Sequence, residues 1–333
     1  MLASYILRRL LIMIPTLLVT SMLIFTVMEL APGNYFDTMI AELQAQGEKA
    51  DMSRIDFLRH EYGFDKSLVE RYFIWIWGFV RGDFGYSFDY QLPVREVIGE
   101  RLTLTMILSL TTILFTWIVA FPIGIYSATH QYSWSDNSLT VLGLLGLAVP
   151  HFLLALIFMY FANVWFGISI GGLMEPKYFN QPMSWDKFSS LLQHIWIPVI
   201  VIGAGGTGSM IRRVRANLLD ELQKQYVTTA RAKGLPPGRA LFKYPFRMSL
   251  NFFISDIGEV LPSIVSGAEV TAVVLSLQTT GPLLIKALQA QDMYLAGSFL
   301  LLLSTLTAVG ILISDILLAT LDPRIRLQGS AAK

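Results

Sequence analysis

The chain has 333 residues, 54% of them hydrophobic and 15% charged, with a mean hydropathy of +0.55. That is too apolar and too sparsely charged for a soluble domain of this length, and a formal net charge of +1 supplies no global field for nucleic acid. With no cysteine there are no disulfides, no thiolate chemistry and no Cys-ligated metal, and His60, His130, His151 and His194 lack metal-ligand spacing. The composition predicts an all-α polytopic membrane protein.

Arg8 and Arg9 precede an apolar run from Leu10 to about Leu30. A run of about 20 apolar residues crosses a bilayer. It exceeds a signal-peptide core, and no A-x-A-like cleavage site follows it. Residues 1–30 therefore read as a cytoplasmic N-terminus and an uncleaved first helix. Residues 31–101 read as a long external loop, mixed in charge, with Tyr72, Phe73, Trp75 and Trp77 within it. Residues 102–320 form the core, with further spans near 102–127, 138–166, 194–211, 251–278 and 295–320, so about six transmembrane helices in all. The segment 167–193 falls outside and the short 128–137 loop inside. Six crossings return the tail, 321–333, to the cytoplasm.

The orientation rests on the 212–250 loop, which carries Arg212, Arg213, Arg215, Lys224, Arg231, Lys233, Arg239, Lys243 and Arg247. Cytoplasmic loops are enriched in Lys and Arg. This loop reads as helical. Leu218, Leu219, Leu222 and Tyr226 fall on one apolar stripe at helical spacing. Gly234 suits the left-handed residue that stops a helix, and Pro236-Pro237 suits the first turn of a second short helix over about 237–244. One account is an amphipathic helix resting on lipid headgroups. The small residues and the glycine turn favour the other, close approach of a protein partner.

The segment Tyr226–Leu235, YVTTARAKGL, resembles the EAA-type cytoplasmic motif of ABC importer permeases, in the form used by the dipeptide/oligopeptide/nickel branch. RGDFGYSFDYQLPVREVIGERLTLT (Arg81–Thr105), TTGPLLIKALQAQDMYLAGSF (Thr279–Phe299) and LDPRIR (Leu321–Arg326) resemble further stretches of that branch, in the right order. The long loop after the first helix is similar to that of the first of two permease subunits. The resemblance implies a pore-forming permease in the bacterial or archaeal cytoplasmic (inner) membrane that moves peptides or similar-sized solutes inward by alternating access. Its implied partners are a second permease subunit, two cytoplasmic ATPase subunits that hold the ATP and Mg, and a periplasmic or surface substrate-binding protein. It further implies that Tyr226, Ala230, Ala232 and Gly234 shape the element coupled to the ATPase, with Leu241 and Tyr244 beside it. Arg231, Arg239 and Lys243 would lie near the ATPase surface. Departures from the pattern are Tyr244 where His is frequent, Asn251-Phe252-Phe253 where Pro soon follows the motif, Glu269 rather than a Glu near Ala272, and Gln278 where Pro is frequent.

Other constellations have competing accounts. GAGGTG (Gly203–Gly208) formally matches a dinucleotide-binding fingerprint, but a span precedes it and no βαβ pattern follows. Close helix packing by small residues explains it better. Asp256, Glu259 and Glu269 lie in the fifth predicted span, where a charge at mid-bilayer costs about 2.5–3.5 kcal/mol and is not turned to lipid. Asp256 reads as a residue of the cytoplasmic boundary and Glu269 as one of the translocation path; Glu259 fits either. Asp315, near Asp322, Arg324 and Arg326, reads as part of an interfacial salt bridge, and His151 as a packed residue. No Walker A loop or hydrolase motif is present, so the chain is not read as an enzyme or as holding a cofactor. The alternative cargo is an oligosaccharide or an opine. A stand-alone secondary transporter, coupled to ions through Glu269, is the account from another class; it predicts interrupted helices in matched halves.

Overall fold

The computed structural model describes residues 2–30, 65–167, 171–250 and 269–321, with positions 40, 60 and 253 besides. The described residues are almost wholly helical. In chain order they form α1 (Leu2–Leu30), α2 (Leu68–Val80), a two-residue hairpin β1 (Tyr86–Ser87) and β2 (Leu92–Pro93), α3 (Val94–Thr129), α4 (Trp134–Ala148) and α5 (His151–Phe166). A 3-10 turn at Pro176–Tyr178 leads to α6 (Trp185–Leu222), α7 (Gln225–Ala232), α8 (Pro237–Lys243), α9 (Glu269–Val274), α10 (Thr280–Gln289) and α11 (Met293–Leu321). Residues 245–250 are also helical.

Four of these helices are long and apolar enough to cross a bilayer: Ser4–Leu30, Val94–Thr129, Trp185–Leu222 and Met293–Thr320. The architecture is that of an all-α polytopic membrane protein. The helices overrun the predicted spans because hydropathy marks the stretch that lipid demands, not the point where the helix stops. The span predicted at 138–166 differs in kind. It consists of α4 and α5, bent by 98° at a short break. Pro150 is the cause: it pushes the preceding residue out of the helical region, and Val149 sits at φ −85°, ψ 122°. If the bent pair counts as one crossing, the described residues hold five. The predicted fifth span, 251–278, lies mostly outside the described residues, as do Asp256 and Glu259.

The chain divides into two compact units. The larger contains residues 104–278. Its core gathers Leu104 and Leu108 of α3, Ala155 of α5, Leu191, Ile195, Ile197, Val199, Val201 and Ile202 of α6 and Ala272 of α9. The other contains residues 7–103 and 279–308. It is centred on Tyr72, Trp75 and Leu301, with Phe25 and Phe79 packed around them.

Within the larger unit, α4 lies along α6 with almost no side chain between them. A Cβ on Gly208 would collide with the carbonyl oxygen of Gly143, and one on Gly146 would stand 3.0 Å from that of Ala204. A Cβ on Gly205 would meet Nε2 of His151, and one on Gly203 would lie 3.0 Å from the Phe115 ring. The GAGGTG run is thus a packing seam, and His151 is half-buried against it. An ion pair closes the seam at one end. Arg215 of α6 donates from Nε and Nη2 to the two oxygens of Asp136 at 2.9 and 2.8 Å.

Candidate functional site

The 212–250 segment is helical apart from short turns, and α6 carries its first turns. The apolar stripe predicted for one helix is divided between two. Leu218, Leu219 and Leu222 belong to α6, whereas Tyr226 belongs to α7. The chain turns at Lys224, which is extended at φ −73°, ψ 146°. No glycine or proline marks that corner. Burial of Val227 and Ala230 draws α7 inward instead, leaving 1% and 8% of them exposed. The Tyr226 hydroxyl donates a hydrogen bond back to Glu221, fastening α7 to the end of α6. Burial, with the Glu221 carboxylate beside it, pushes the Tyr226 phenol up, so it remains a donor.

The other end of α7 closes as a Schellman motif. Gly234 lies at φ +83°, a left-handed conformation that costs a side-chain-bearing residue about 1 kcal/mol or more. Its N–H donates to the carbonyl of Arg231 at 2.9 Å, and that of Leu235 to the carbonyl of Ala230 at 3.2 Å. A new helix can then start at once. Pro236 is the N-cap, Pro237 occupies the first position of α8, and the Ala240 N–H returns to the Pro236 carbonyl at 2.9 Å. The glycine stop and proline start anticipated near 234–237 are both present.

The two short helices pack against each other. Ala240 is fully buried, and the Tyr226 and Tyr244 rings lie 6.3 Å apart. Lys243 sits over the Tyr244 ring with its Nζ 5.4 Å from the centroid. Ala230 and Ala240 are therefore spacers inside the helix pair. Tyr226, Leu241 and Tyr244 are half-buried props, while Arg231, Ala232, Gly234, Arg239, Lys243 and Phe242 form its exposed surface. The result is an exposed basic knuckle with an apolar Phe242 on it.

The remaining sequence candidates are placed differently. Glu269 opens α9. Glu259 lies outside the described residues, and so do Asp322, Arg324 and Arg326, the neighbours assigned to Asp315. Gln278 supports backbone. Its Oε1 accepts from the Leu173 N–H at 3.0 Å, beside the Gly172 N–H bond to the Leu275 carbonyl at 2.7 Å. The sequence reading missed the Asp136–Arg215 pair and the Tyr226–Glu221 bond. For the first a local signal exists: Ser133 caps α4 by accepting from the Asp136 N–H at 3.1 Å, a helix-start pattern visible in SWSD.

Comparison with known proteins bears on the whole chain. Residues 120–327 match the family described as the binding-protein-dependent transport system inner membrane component, and residues 1–111 match the N-terminal part described for such membrane components. The chain is 33% identical to the oligopeptide transport system permease protein AppB of Bacillus subtilis, over 97% of this chain and 99% of AppB. It is 29% identical to the inner membrane ABC transporter permease protein YejB of Escherichia coli O157:H7, over 98% of this chain and 99% of YejB. A putative peptide transport system permease protein of Brucella melitensis is 29% identical over 98% of this chain and 99% of its own length. Matches that run nearly end to end, through the seam and the basic knuckle alike, leave one assignment: the chain belongs to the binding-protein-dependent transport system inner membrane components, the permease subunits of ABC transporters.

Proposed function

We propose that this permease imports peptides and that the α7–Gly234–α8 knuckle is the surface on which a cytoplasmic ATPase subunit docks. The observation that carries the reading is the knuckle itself. It is a helix pair whose first helix is held at its start by Tyr226–Glu221 and closed at its end by the Gly234 turn, and it presents Arg231, Arg239, Lys243 and Phe242 outward. An exposed element fastened to the end of a 38-residue helix is suited to passing a push along that helix. In this reading Tyr226, Ala230, Ala232 and Leu241 shape the knuckle and Tyr244 braces it. The basic residues meet the partner. The 212–250 loop and both termini lie in the cytoplasm, by the excess of Lys and Arg in that loop.

A second permease subunit would complete the pore, two ATPase subunits would bind ATP and Mg, and an external binding protein would deliver cargo. AppB and the Brucella protein carry oligopeptide and peptide in their names, which favours a peptide over an oligosaccharide or an opine. Glu259 and Glu269 remain candidates for the translocation path.

The test is Gly234→Val in the reconstituted importer. A β-branched residue cannot hold φ +83° without strain of about 1–3 kcal/mol, so the turn should distort. Peptide uptake should fall at least tenfold, with membrane insertion unchanged and ATP hydrolysis no longer stimulated by loaded binding protein. Undiminished uptake would remove the knuckle from the mechanism.

A further inference from the structure

Helix α2 has a face that neither water nor the described residues of its unit account for. Tyr72 and Trp75 are buried, and another side of the helix carries Val69, Phe73, Trp77 and Val80, exposed by 65, 61, 58 and 71%. These four recur at i, i+4, i+8 and i+11, one stripe along the helix. An aqueous loop helix would put polar residues there. At 13 residues, α2 is about 20 Å long and cannot cross a bilayer.

Its attachment to α1 shows where it lies. The Tyr72 hydroxyl is hydrogen-bonded to Ser21 Oγ at 2.8 Å in a buried contact. The Phe25 ring meets Tyr72 at 5.5 Å and Trp75 at 5.9 Å. Arg71 pairs with Glu29 at 2.7 Å. Ser21 lies nine residues before the end of α1, about 13 Å along the helix axis from Leu30. Because α1 is a spanning helix, Tyr72 reaches it at the depth of the acyl chains, while Arg71 meets it near the interface. The exposed stripe also continues a surface already committed to lipid. Only 6% of the α1 span is buried, and Leu23 and Val27 are exposed by 61 and 66%. Polar groups end α2 on both sides. Ser67 and Glu70 form a capping box, and the Arg81 guanidinium stacks over Trp77 at 4.8 Å, as a side chain reaching toward headgroups would.

We propose that α2 is a lateral membrane helix whose Val69–Phe73–Trp77–Val80 stripe is immersed in phospholipid acyl chains, in the leaflet that holds the C-terminal end of α1. In this proposal α2 belongs to the membrane domain rather than to an external loop over residues 31–101, and it widens the lipid-facing side of α1.

The native absence of cysteine makes the test direct. Val69→Cys and Val80→Cys, labelled with a nitroxide in the intact transporter and reconstituted into phosphatidylethanolamine/phosphatidylglycerol vesicles, report collision with oxygen against a water-soluble nickel chelate. Phe73→Cys gives a third site should either variant fail to insert. Oxygen should dominate, as at labels on Leu23 and Val27, and bimane at the same sites should be quenched by brominated lipid. Dominance of the chelate, as at a label on exposed Asp83, would overturn the proposal in favour of water. Protection from both reagents, with no brominated-lipid quenching, would overturn it in favour of a protein partner.

Discussion

Asp136 is 1% exposed and is held on three sides. Arg215 donates to both of its oxygens, and the Tyr132 N–H donates to Oδ2 at 3.0 Å. The third bond holds Tyr132 in a left-handed conformation, φ +62°, that its side chain would otherwise avoid. Removing one partner of such a pair leaves a charge without its counterion and costs about 3 kcal/mol. Asp136→Ala should therefore lower the thermal midpoint of the detergent-solubilised chain more than Asp136→Asn, which keeps the Tyr132 contact; equal midpoints would refute this. Asp292 is fully buried as well and joins the β1–β2 segment to the start of α11. Ser87 donates to it at 2.6 Å, the Leu295 N–H at 3.2 Å and the Asp89 N–H at 3.3 Å. Burial raises its carboxyl above the ordinary value, with the Ser87 hydrogen bond and the backbone N–H groups pulling the other way. A raised value means that the folded state binds this proton more tightly than the unfolded one. The resulting stability is complete below the unfolded carboxyl's range and is lost as pH climbs through the raised value. Asp292→Asn is neutral at every pH, so its thermal midpoint should vary less between pH 4 and pH 8 than that of the parent. A parent midpoint that rises through this window relative to the variant would contradict the assignment.

At the scale of elements, α4 and α6 are in contact because glycines leave room for backbone. Gly208 is the tightest point, since its missing Cβ is filled by the Gly143 carbonyl. Gly208→Leu should cost about 3 kcal/mol or more through overpacking, read as loss of monodisperse protein in detergent. Gly206 is the matched control, two residues away on the exposed side, where the nearest atom to a new Cβ is 3.7 Å off; Gly206→Ala should behave as the parent, and equal damage at both sites would argue against a seam. What the sequence revealed of these elements follows from how local each cause is. The stop at Gly234 and the start at Pro237 could be read because the backbone demand and the residue that meets it share one position. The bend at Pro150 was obscured by the apolar stretches on both sides, which satisfy the length of a span when summed. The corner at Lys224 carries no breaker at all; it arises from the burial of Val227 and Ala230, which only the tertiary structure supplies. The small residues of GAGGTG indicated packing, but not that Gly143 and Gly146, some sixty residues earlier, would be their partners. The aromatic residues around Trp75 were conspicuous in the sequence, yet their bonds to Ser21 and Ser298 join residues 51 and 223 positions apart, and no local pattern encodes such pairs.

For the molecule as a whole, a formal net charge of +1 conceals a strong asymmetry, since so much of the positive charge is gathered in the 212–250 segment. On the knuckle, Arg231, Arg239 and Lys243 are all exposed, so in the proposed ATPase docking each of their contacts would be a rim contact, worth about 0.2–1 kcal/mol by itself. Reversing all three together removes attraction and adds repulsion, which should exceed the roughly 1.4 kcal/mol that corresponds to a tenfold loss of affinity. The triple variant Arg231→Glu, Arg239→Glu, Lys243→Glu should still insert into the membrane, because none of the three is buried, but should copurify with at least tenfold less ATPase subunit. Salt distinguishes this from misfolding. Screening shortens from about 8 Å at physiological ionic strength to about 3 Å at 1 M. The parent complex should therefore weaken as salt rises, while the residual binding of the variant should not. Phe242, exposed by 57% on the same helix, sets the limit of that argument. An apolar anchor is insensitive to salt, so Phe242→Ala should weaken the complex equally at both ionic strengths. If salt leaves the parent untouched and Phe242→Ala abolishes binding, the docking energy is apolar and the basic residues serve orientation alone.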